Sequence, residues 1–298
     1  MRIDAKIEKK LRRGFFMAVM MGPAIIGFLV FYVYVNFNSL VMAFQVPVEN
    51  GMKFGFDNFT YFFVELSMPD SRFLEAITNT GIFFLIGYVS LAMSLVVAYF
   101  ISKKIVGYKF FRFIYYVPCI IMATATASLF QYILAYKGPI GAIVMSFGHK
   151  YPDILADDRY ALPALVFYNL FFGVGGNMIL FLGSMTNISP EIFEAGKLDG
   201  VGWVREIFQI IIPLIWPTFS VMILQSIVGL TQASGPVFLL TKGEQNTDTI
   251  NYWLYEQLLE GSNLEISAAI GWLCTVFTFP IAMIAKYLLN KADEKIGV

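Results

Sequence analysis

The residues able to do chemistry are few, and the densest group lies in one stretch. From Glu194 to Pro217 the chain reads EAGKLDGVGWVREIFQIIIPLIWP. Glu191, Glu194 and Lys197 stand three apart, which sets them as a charged stripe on one face of a helix. Ser189-Pro190 ahead of them supplies an N-cap and a first-turn proline. Gly200 supplies the left-handed stop that only glycine takes readily. Gly202 allows a second bend, and a second short helical segment over 203–209 leads to Pro213 and Pro217. The spacing therefore predicts a helix–turn–helix with one charged and one apolar face. It can be an interfacial helix anchored at lipid headgroups, or a rigid knob gripped by a soluble partner. A second polar set is Asn169, Gly173 and Asn177, at four-residue intervals on one helix face. With Ser226 and Gln232 further along, these side chains can hydrogen-bond a polar solute. The glycines can equally serve close helix packing, and the asparagines can bridge helices.

Several chemistries are not supported. No G-x-x-x-x-G-K-[ST] string occurs, so the chain does not cradle ATP by that route. His149 is the single histidine and falls in a loop, which argues against His-based metal sites and triads. No catalytic residue, no metal and no cofactor of this chain's own is expected. Cys119 and Cys274 fall in apolar runs and read as small buried residues rather than a disulfide.

The elements that must position these residues follow from composition. Of 298 residues 58% are apolar and only 14% charged, against about 25% charged in soluble domains; mean hydropathy is +0.68. The solvent for such a chain is lipid. No Asp, Glu, Lys or Arg occurs in 14–48, 76–102, 113–136, 160–190, 207–241 or 266–285. Each run can cross a bilayer as a helix, which takes roughly 20 residues. The expectation is six transmembrane helices near 15–37, 79–102, 111–135, 161–185, 210–233 and 266–289. The run after the basic N-terminus is long and lacks a small-residue cleavage pattern, so it reads as the first helix rather than a signal peptide. With the N-terminus inside, the inner segments hold 15 Lys and Arg and the outer segments 6. The positive-inside rule then puts both termini in the cytoplasm. The domain reading is a cytoplasmic segment 1–14, a six-helix domain 15–289 with its loop at 186–209, and a tail 290–298. Proton or ion coupling through an intramembrane acid or base has no residue to use. The net charge of zero and the topological placement of the basic residues give no indication of nucleic acid.

The quoted stretch resembles the EAA motif of ABC importer permeases, E-A-A-x-x-x-G, nine residues, then I-x-L-P. The matches are Glu194, Ala195, Gly200, Ile210 and Pro213; Gly196 and Ile212 are mild departures. Further segments resemble the sugar-type permeases: FGFDNFTYFF at 54–63, DSRFLEAITNT at 70–80, FFRFIYYVP at 110–118 and KGPIG at 137–141. Thr241-Lys242-Gly243, followed by Thr249 and Tyr255, is similar to their L-T-x-G-G-P loop, with Glu244 and Gln245 in place of Gly-Pro.

The resemblance, closest to the larger maltose-type permease, implies an all-α membrane protein with the type I ABC importer permease fold: six transmembrane helices and a cytoplasmic coupling helix. It implies a transport subunit, not an enzyme, forming half of a pore for carbohydrate, with oligosaccharide favoured, by alternating access. A second homologous permease, two ATPase subunits that bind the ATP, and an extracellular or periplasmic substrate-binding protein are the implied partners. The location implied is the bacterial or archaeal cell membrane. Glu194, Ala195, Gly196, Asp199 and Gly200 would couple to the ATPase. Asn169 and Gly173 fall where such permeases place pore-facing residues, and Asn177, Ser226 and Gln232 are further substrate candidates. Glycerol-phosphate uptake is an alternative within the family, although the spans offer no positive charge for it. A stand-alone facilitative channel is the alternative outside it.

Overall fold

The computed structural model describes residues 2–48, 51–69, 71–232, 235–259 and 264–296. The chain opens with α1 (Arg2–Phe28), a π-helical turn over Leu29–Tyr34, and α2 (Val35–Ala43). A short hairpin follows, β1 (Gln45–Val48) with β2 (Gly51–Phe54), antiparallel with Gln45 opposite Phe54. Then come α3 (Asp57–Ser67), α4 (Arg72–Ser102), α5 (Tyr108–Ile120), α6 (Ala123–Leu134) and α7 (Pro139–Ser146). The second half holds α8 (Ala161–Met185), α9 (Pro190–Leu198), α10 (Trp203–Glu206), a π-helical turn over Ile207–Ile211, α11 (Ile212–Leu214) and α12 (Trp216–Val228). After a 3-10 turn, Gly229–Gln232, the chain closes with α13 (Gly235–Leu240), α14 (Ile250–Leu259) and α15 (Leu264–Ile296).

Among the described residues, four helical stretches are long and apolar enough to cross a membrane: Lys9–Ala43, Arg72–Ser102, Ala161–Met185 and Leu264–Lys295. The other two expected spans are bent. The helix expected over 111–135 breaks by 112° between α5 and the stretch that follows it. Pro118 removes a backbone donor in the last turn of α5, and Ile121 and Met122 are extended, with ψ of 143° and 138°. The helix expected over 210–233 starts at Trp216, because Ile215 forms an 89° corner between Trp203–Leu214 and α12. Pro217 in the first turn of α12 fits that restart.

α4 is the axis of the bundle. Near one end, Phe73 and Ala76 pack with Trp253 and Ile270 of α14 and α15. In the middle, Phe83 joins Phe130, Leu165, Tyr168 and Val237. At the other end, Leu91, Leu95 and Tyr99 join Met178, Phe181, Ile207, Ile211 and Met222. Lipid tails are as apolar as leucine, so helices here associate through close fit and internal hydrogen bonds. Both operate where α4 meets α8. Ser94, fully buried, donates from Oγ to the carbonyls of Ser90 (2.6 Å) and Val174 (3.0 Å).

Polar pins sort the loops to two ends. Asn58 of α3 donates to the carbonyls of Ala43 (3.1 Å) and Gln45 (2.8 Å), tying the hairpin down. Asn79 donates to Asn246 (3.0 Å) and Asp248 (2.9 Å), and Thr80 accepts from the Ile250 amide at 3.0 Å. The start of α4 therefore sits with the 241–259 region. The far end of α4 sits with α9 and α10, where Lys103 meets Glu206. Cys119, expected to be buried, is exposed in the last turn of α5, with its thiol donating to the Tyr115 carbonyl at 3.3 Å. α8 covers only one side of that turn; Cys274 is partly buried.

α5 and α8 approach so closely at Gly175 that a Cβ there would lie 2.2 Å from the Tyr115 carbonyl oxygen and 2.5 Å from the Cys119 sulfur. Gly175→Ala is expected to force the helices apart at a cost of about 1–3 kcal/mol, typical of overpacking. Thermal unfolding of the purified variant in mild detergent checks this; an unchanged Tm would show that α5 yields freely.

Candidate functional site

The first part of the stretch singled out in the sequence, α9 and the turn after it, folds as a helical elbow outside the candidate spans. α9 starts at Pro190, in its favoured first position, behind Ser189 in extended backbone; the Ser189 hydroxyl makes no cap bond. Its end is a Schellman motif. The Val201 amide donates to the Gly196 carbonyl at 3.0 Å and the Gly200 amide to the Lys197 carbonyl at 3.2 Å. Gly200 itself has φ of +67°, the left-handed conformation that L side chains rarely adopt. The charged stripe is outward: Glu191, Glu194 and Lys197 are all exposed. Ala195, Asp199 and Gly200 are exposed beside them, and Leu198 protrudes at the tip with 89% of its surface free. An apolar tip ringed by charge is the profile of a contact surface rather than of a solvated loop.

The inner face of the elbow is seated on the bundle. Gly196 is buried, and a Cβ there would meet Ile210 Cδ1 at 3.4 Å, ordinary contact, so an alanine would also fit. Ile188 and Phe193 pack on the cluster built around α4, α8 and α12. One group here escaped the sequence reading. Glu206 is 6% exposed, its Oε2 accepts from the Tyr99 hydroxyl at 2.7 Å, and its Oε1 pairs with Lys103. The Lys103 ammonium also lies 4.1 Å from the centre of the Phe193 ring. The available signal was an acid directly before the uncharged run that begins at Ile207, opposite a Lys-Lys pair closing another span.

The expected pore-face residues are spread over two helices. Asn169, Gly173 and Asn177 lie on α8 and are partly exposed; Ser226, on α12, is also partly exposed. Asn169 and Gly173 are adjacent: a Cβ at 173 would lie 3.5 Å from Asn169 Oδ1 and 3.0 Å from Ser90 Oγ of α4. Gly173 thus also admits a close approach of α4. The Ser226 hydroxyl donates to the Met222 carbonyl at 3.0 Å within its own helix. Gln232 ends the 3-10 turn, and its side chain lies outside the described residues. A groove of about 620 Å³ lies on a different face, walled by Val117, Pro118, Phe130, Phe167 and Phe171. It is almost wholly apolar and does not suit a sugar.

At the opposite end, the 241–250 loop is held by charge. Asp248 is fully buried; its Oδ2 lies 2.7 Å from Arg72 Nε, and Arg72 also reaches Glu256 at 2.6 Å. The Asp248 Oδ1 accepts from the Thr249 amide at 3.0 Å. Lys242, Gln245 and Asn246 take φ near +54°. Proline cannot adopt that angle, so the replacement of Gly-Pro at 244–245 comes with a local backbone that a Pro at 245 would forbid. Burial pushes the Asp248 carboxyl up to about 6; Arg72 opposes the rise, and Glu256 and Glu75 add to it.

A carboxyl raised in this way is held protonated more tightly by the folded chain than by the unfolded one. Its contribution to stability therefore falls as pH rises through about 6 and returns on acidification. Asp248→Asn removes the titration. The wild type is expected to gain stability relative to that variant between pH 7 and pH 5, read as a widening Tm difference; parallel Tm curves would show that Asp248 stays ionised.

No protein-family model matches the chain. Relatives were found along nearly its full length. It is 26% identical over 273 residues to the multiple sugar-binding transport system permease protein MsmF of Streptococcus mutans, covering 87% of this chain and 92% of that one. It is 28% identical over 242 residues to the lactose transport system permease protein LacF of Rhizobium radiobacter, covering 78% and 80%. Among solved structures, a chain of a bacterial alginate ABC transporter in complex with an alginate pentasaccharide-bound periplasmic protein superposes with a TM-score of 0.80 at 24% identity, covering 96% of this chain and 97% of that one. The chain thus has the fold of an ABC importer permease, and along most of its length its sequence is that of a relative of bacterial sugar transport permeases.

Proposed function

We propose that this chain is one membrane-spanning half of an ATP-driven, binding-protein-dependent carbohydrate importer. The observation that carries the reading is the elbow: an exposed helix with an apolar tip, outside the spans, on a buried seat. A lipid-anchored helix would turn its apolar face to the headgroups, whereas α9 spends Phe193 on its own bundle and presents Glu194, Ala195, Leu198 and Asp199 outward. These residues are assigned to the cleft of an ATPase subunit, with Gly196 as the seat and Gly200 as the turn. ATP binding and hydrolysis would reside in that separate subunit, and the chain itself carries transport, not catalysis.

The remaining parts follow. The Lys9–Ala43 span buries none of its apolar window within this chain, which leaves it for lipid and for a second, homologous permease. Two ATPase subunits complete the assembly. A substrate-binding protein delivers cargo, a partner that the neighbour crystallised with its loaded periplasmic protein supports, and the end that carries Arg72 and Asp248, opposite the elbow, is assigned to receive it. Both termini then lie in the cytoplasm, as the basic residues favour. The cargo is a carbohydrate, an oligosaccharide by preference given the named cargoes of the relatives. Asn169, Gly173, Asn177, Ser226 and Gln232 are assigned to the pore face.

Mass spectrometry of what co-purifies with the chain from its native membrane tests the assembly. A second permease and an ATPase are expected; recovery of this chain alone, in a detergent that keeps a known importer intact, would favour a stand-alone channel. Gly200→Val, a β-branched residue at φ of +67°, is expected to abolish most uptake while membrane insertion persists. Glu194→Ala is expected to weaken uptake only modestly, since an exposed ion pair is worth under about 1 kcal/mol. Normal uptake by Gly200→Val would remove the docking role.

A further inference from the structure

Lys103 is where three elements meet. It caps the end of α4, pairs with Glu206 of α10, and lies over the ring of Phe193 on α9. Glu206 is closed off on its other oxygen by Tyr99, one helical turn before Lys103. Phe100 adds a ring contact to Trp203 of α10 at 5.7 Å. Gly196 also seats on Ile210 and Ile192 is half-buried, while the other residues of α9 are exposed and carry no polar tie to the bundle. The link between the exposed helix and the bundle axis is therefore short: Phe193, Lys103, Glu206, Tyr99.

A buried ion pair is a costly way to hold two helices together. Desolvation costs several kcal/mol per ion, and an apolar pair of similar volume often holds a fold as well or better. What an ion pair adds is direction. A carboxylate with both oxygens engaged fixes the register of α10 against α4, whereas packed methyl groups permit sliding. A π-helical turn follows at once, Ile207–Ile211, and such turns recur at functional positions in helices. The corner at Ile215 then separates this unit from α12. Rigid on the α4 side and jointed on the α12 side, the elbow has the construction of a lever.

We propose that the Lys103–Glu206–Tyr99 group is the joint that passes displacement of α9 to α4, and that Glu206 is a positioning residue of the transport step. The inference rests on the permease reading. Glu206 touches neither the outward face of α9 nor the expected pore face, so it acts through α4. Pulling α9 carries Lys103 through the Phe193 contact and the Glu206 pair. Because α4 runs through all three core clusters to Arg72, the movement reaches the 241–259 region at the far end.

The test uses the whole complex in proteoliposomes, with the ATPase subunits and binding protein that co-purify with the chain. ATP hydrolysis is measured beside uptake of the radiolabelled saccharide recovered on that binding protein. The single variant Glu206→Gln keeps the Tyr99 bond and loses the charge. The double variant Lys103→Met/Glu206→Leu removes both charges and leaves a packed apolar pair, which guards against simple misfolding. Both are expected to lower uptake per ATP hydrolysed by about tenfold, within the usual range of coupling between sites. The swap Lys103→Glu/Glu206→Lys is expected to restore much of that ratio. A fold contact alone would lower uptake and hydrolysis together, in proportion to folded protein, and that result overturns the proposal, as does a wild-type ratio in the double variant. Wild-type uptake that needs no ATPase would overturn the permease reading itself.

Discussion

The close crossing of α4 and α8 is the contact on which the remainder depends. In lipid the hydrophobic effect does not drive helices together, so association rests on fit and on polar groups that find partners inside the bundle. Ser94 bridges to the Val174 carbonyl, and Gly173 admits Ser90. Small residues on both helices bring the backbones near enough for longer side chains above and below to interlock. Leu91, Leu95, Met178 and Phe181 do so toward one end, and Phe83, Leu165 and Tyr168 toward the other. Once α4 and α8 are fixed, α5 fits against Gly175, and the bend after Ile120 sets α6 across the face of α8.

The two ends of α4 are built differently. At one, Asn79, Thr80 and Arg72 bind a loop whose backbone bends through several positive-φ residues, and a fully buried carboxylate is the price of holding it. At the other, Lys103 and Glu206 hold the elbow, and the exposed helix α9 beyond it is free to meet a partner. The polar cost is concentrated at the ends, where water is near. The middle of the bundle is held by serine hydroxyls, glycine contacts and aromatic edges. A stiff axis with charged clamps at its ends can move as one body without unfolding.

The segments that resemble sugar-type permeases have physical roles that the resemblance did not supply. Asn58, from FGFDNFTYFF, fastens α3 to the end of α2 and the first residue of the hairpin through the carbonyls of Ala43 and Gln45. Asn79 and Thr80 of the N-T pair fasten the 241–250 loop. Pro118, ending FFRFIYYVP, stands where α5 gives way to a sharp turn. Asn58, Asn79 and Thr80 pair backbone groups of the loops they hold, and Pro118 takes away a donor where its helix ends.

The sequence by itself determined the class of solvent, the positions of the apolar runs, and the elbow. Uncharged runs of sufficient length read as candidate spans, because a charge at the bilayer centre is expensive. Ser189-Pro190 and Gly200 bound a short helix whatever surrounds it, because caps act within one turn. Corners were harder to read. Pro118 and Pro217 were visible, but whether a proline is absorbed or turns the chain depends on what packs beside it. Tertiary structure alone decided that Glu206 is buried with Lys103, a pairing across about a hundred residues that no local pattern encodes. It also decided that Cys119 faces outward and that Gly173 lies against Ser90. Periodicity says which residues share a face; only packing says what that face meets.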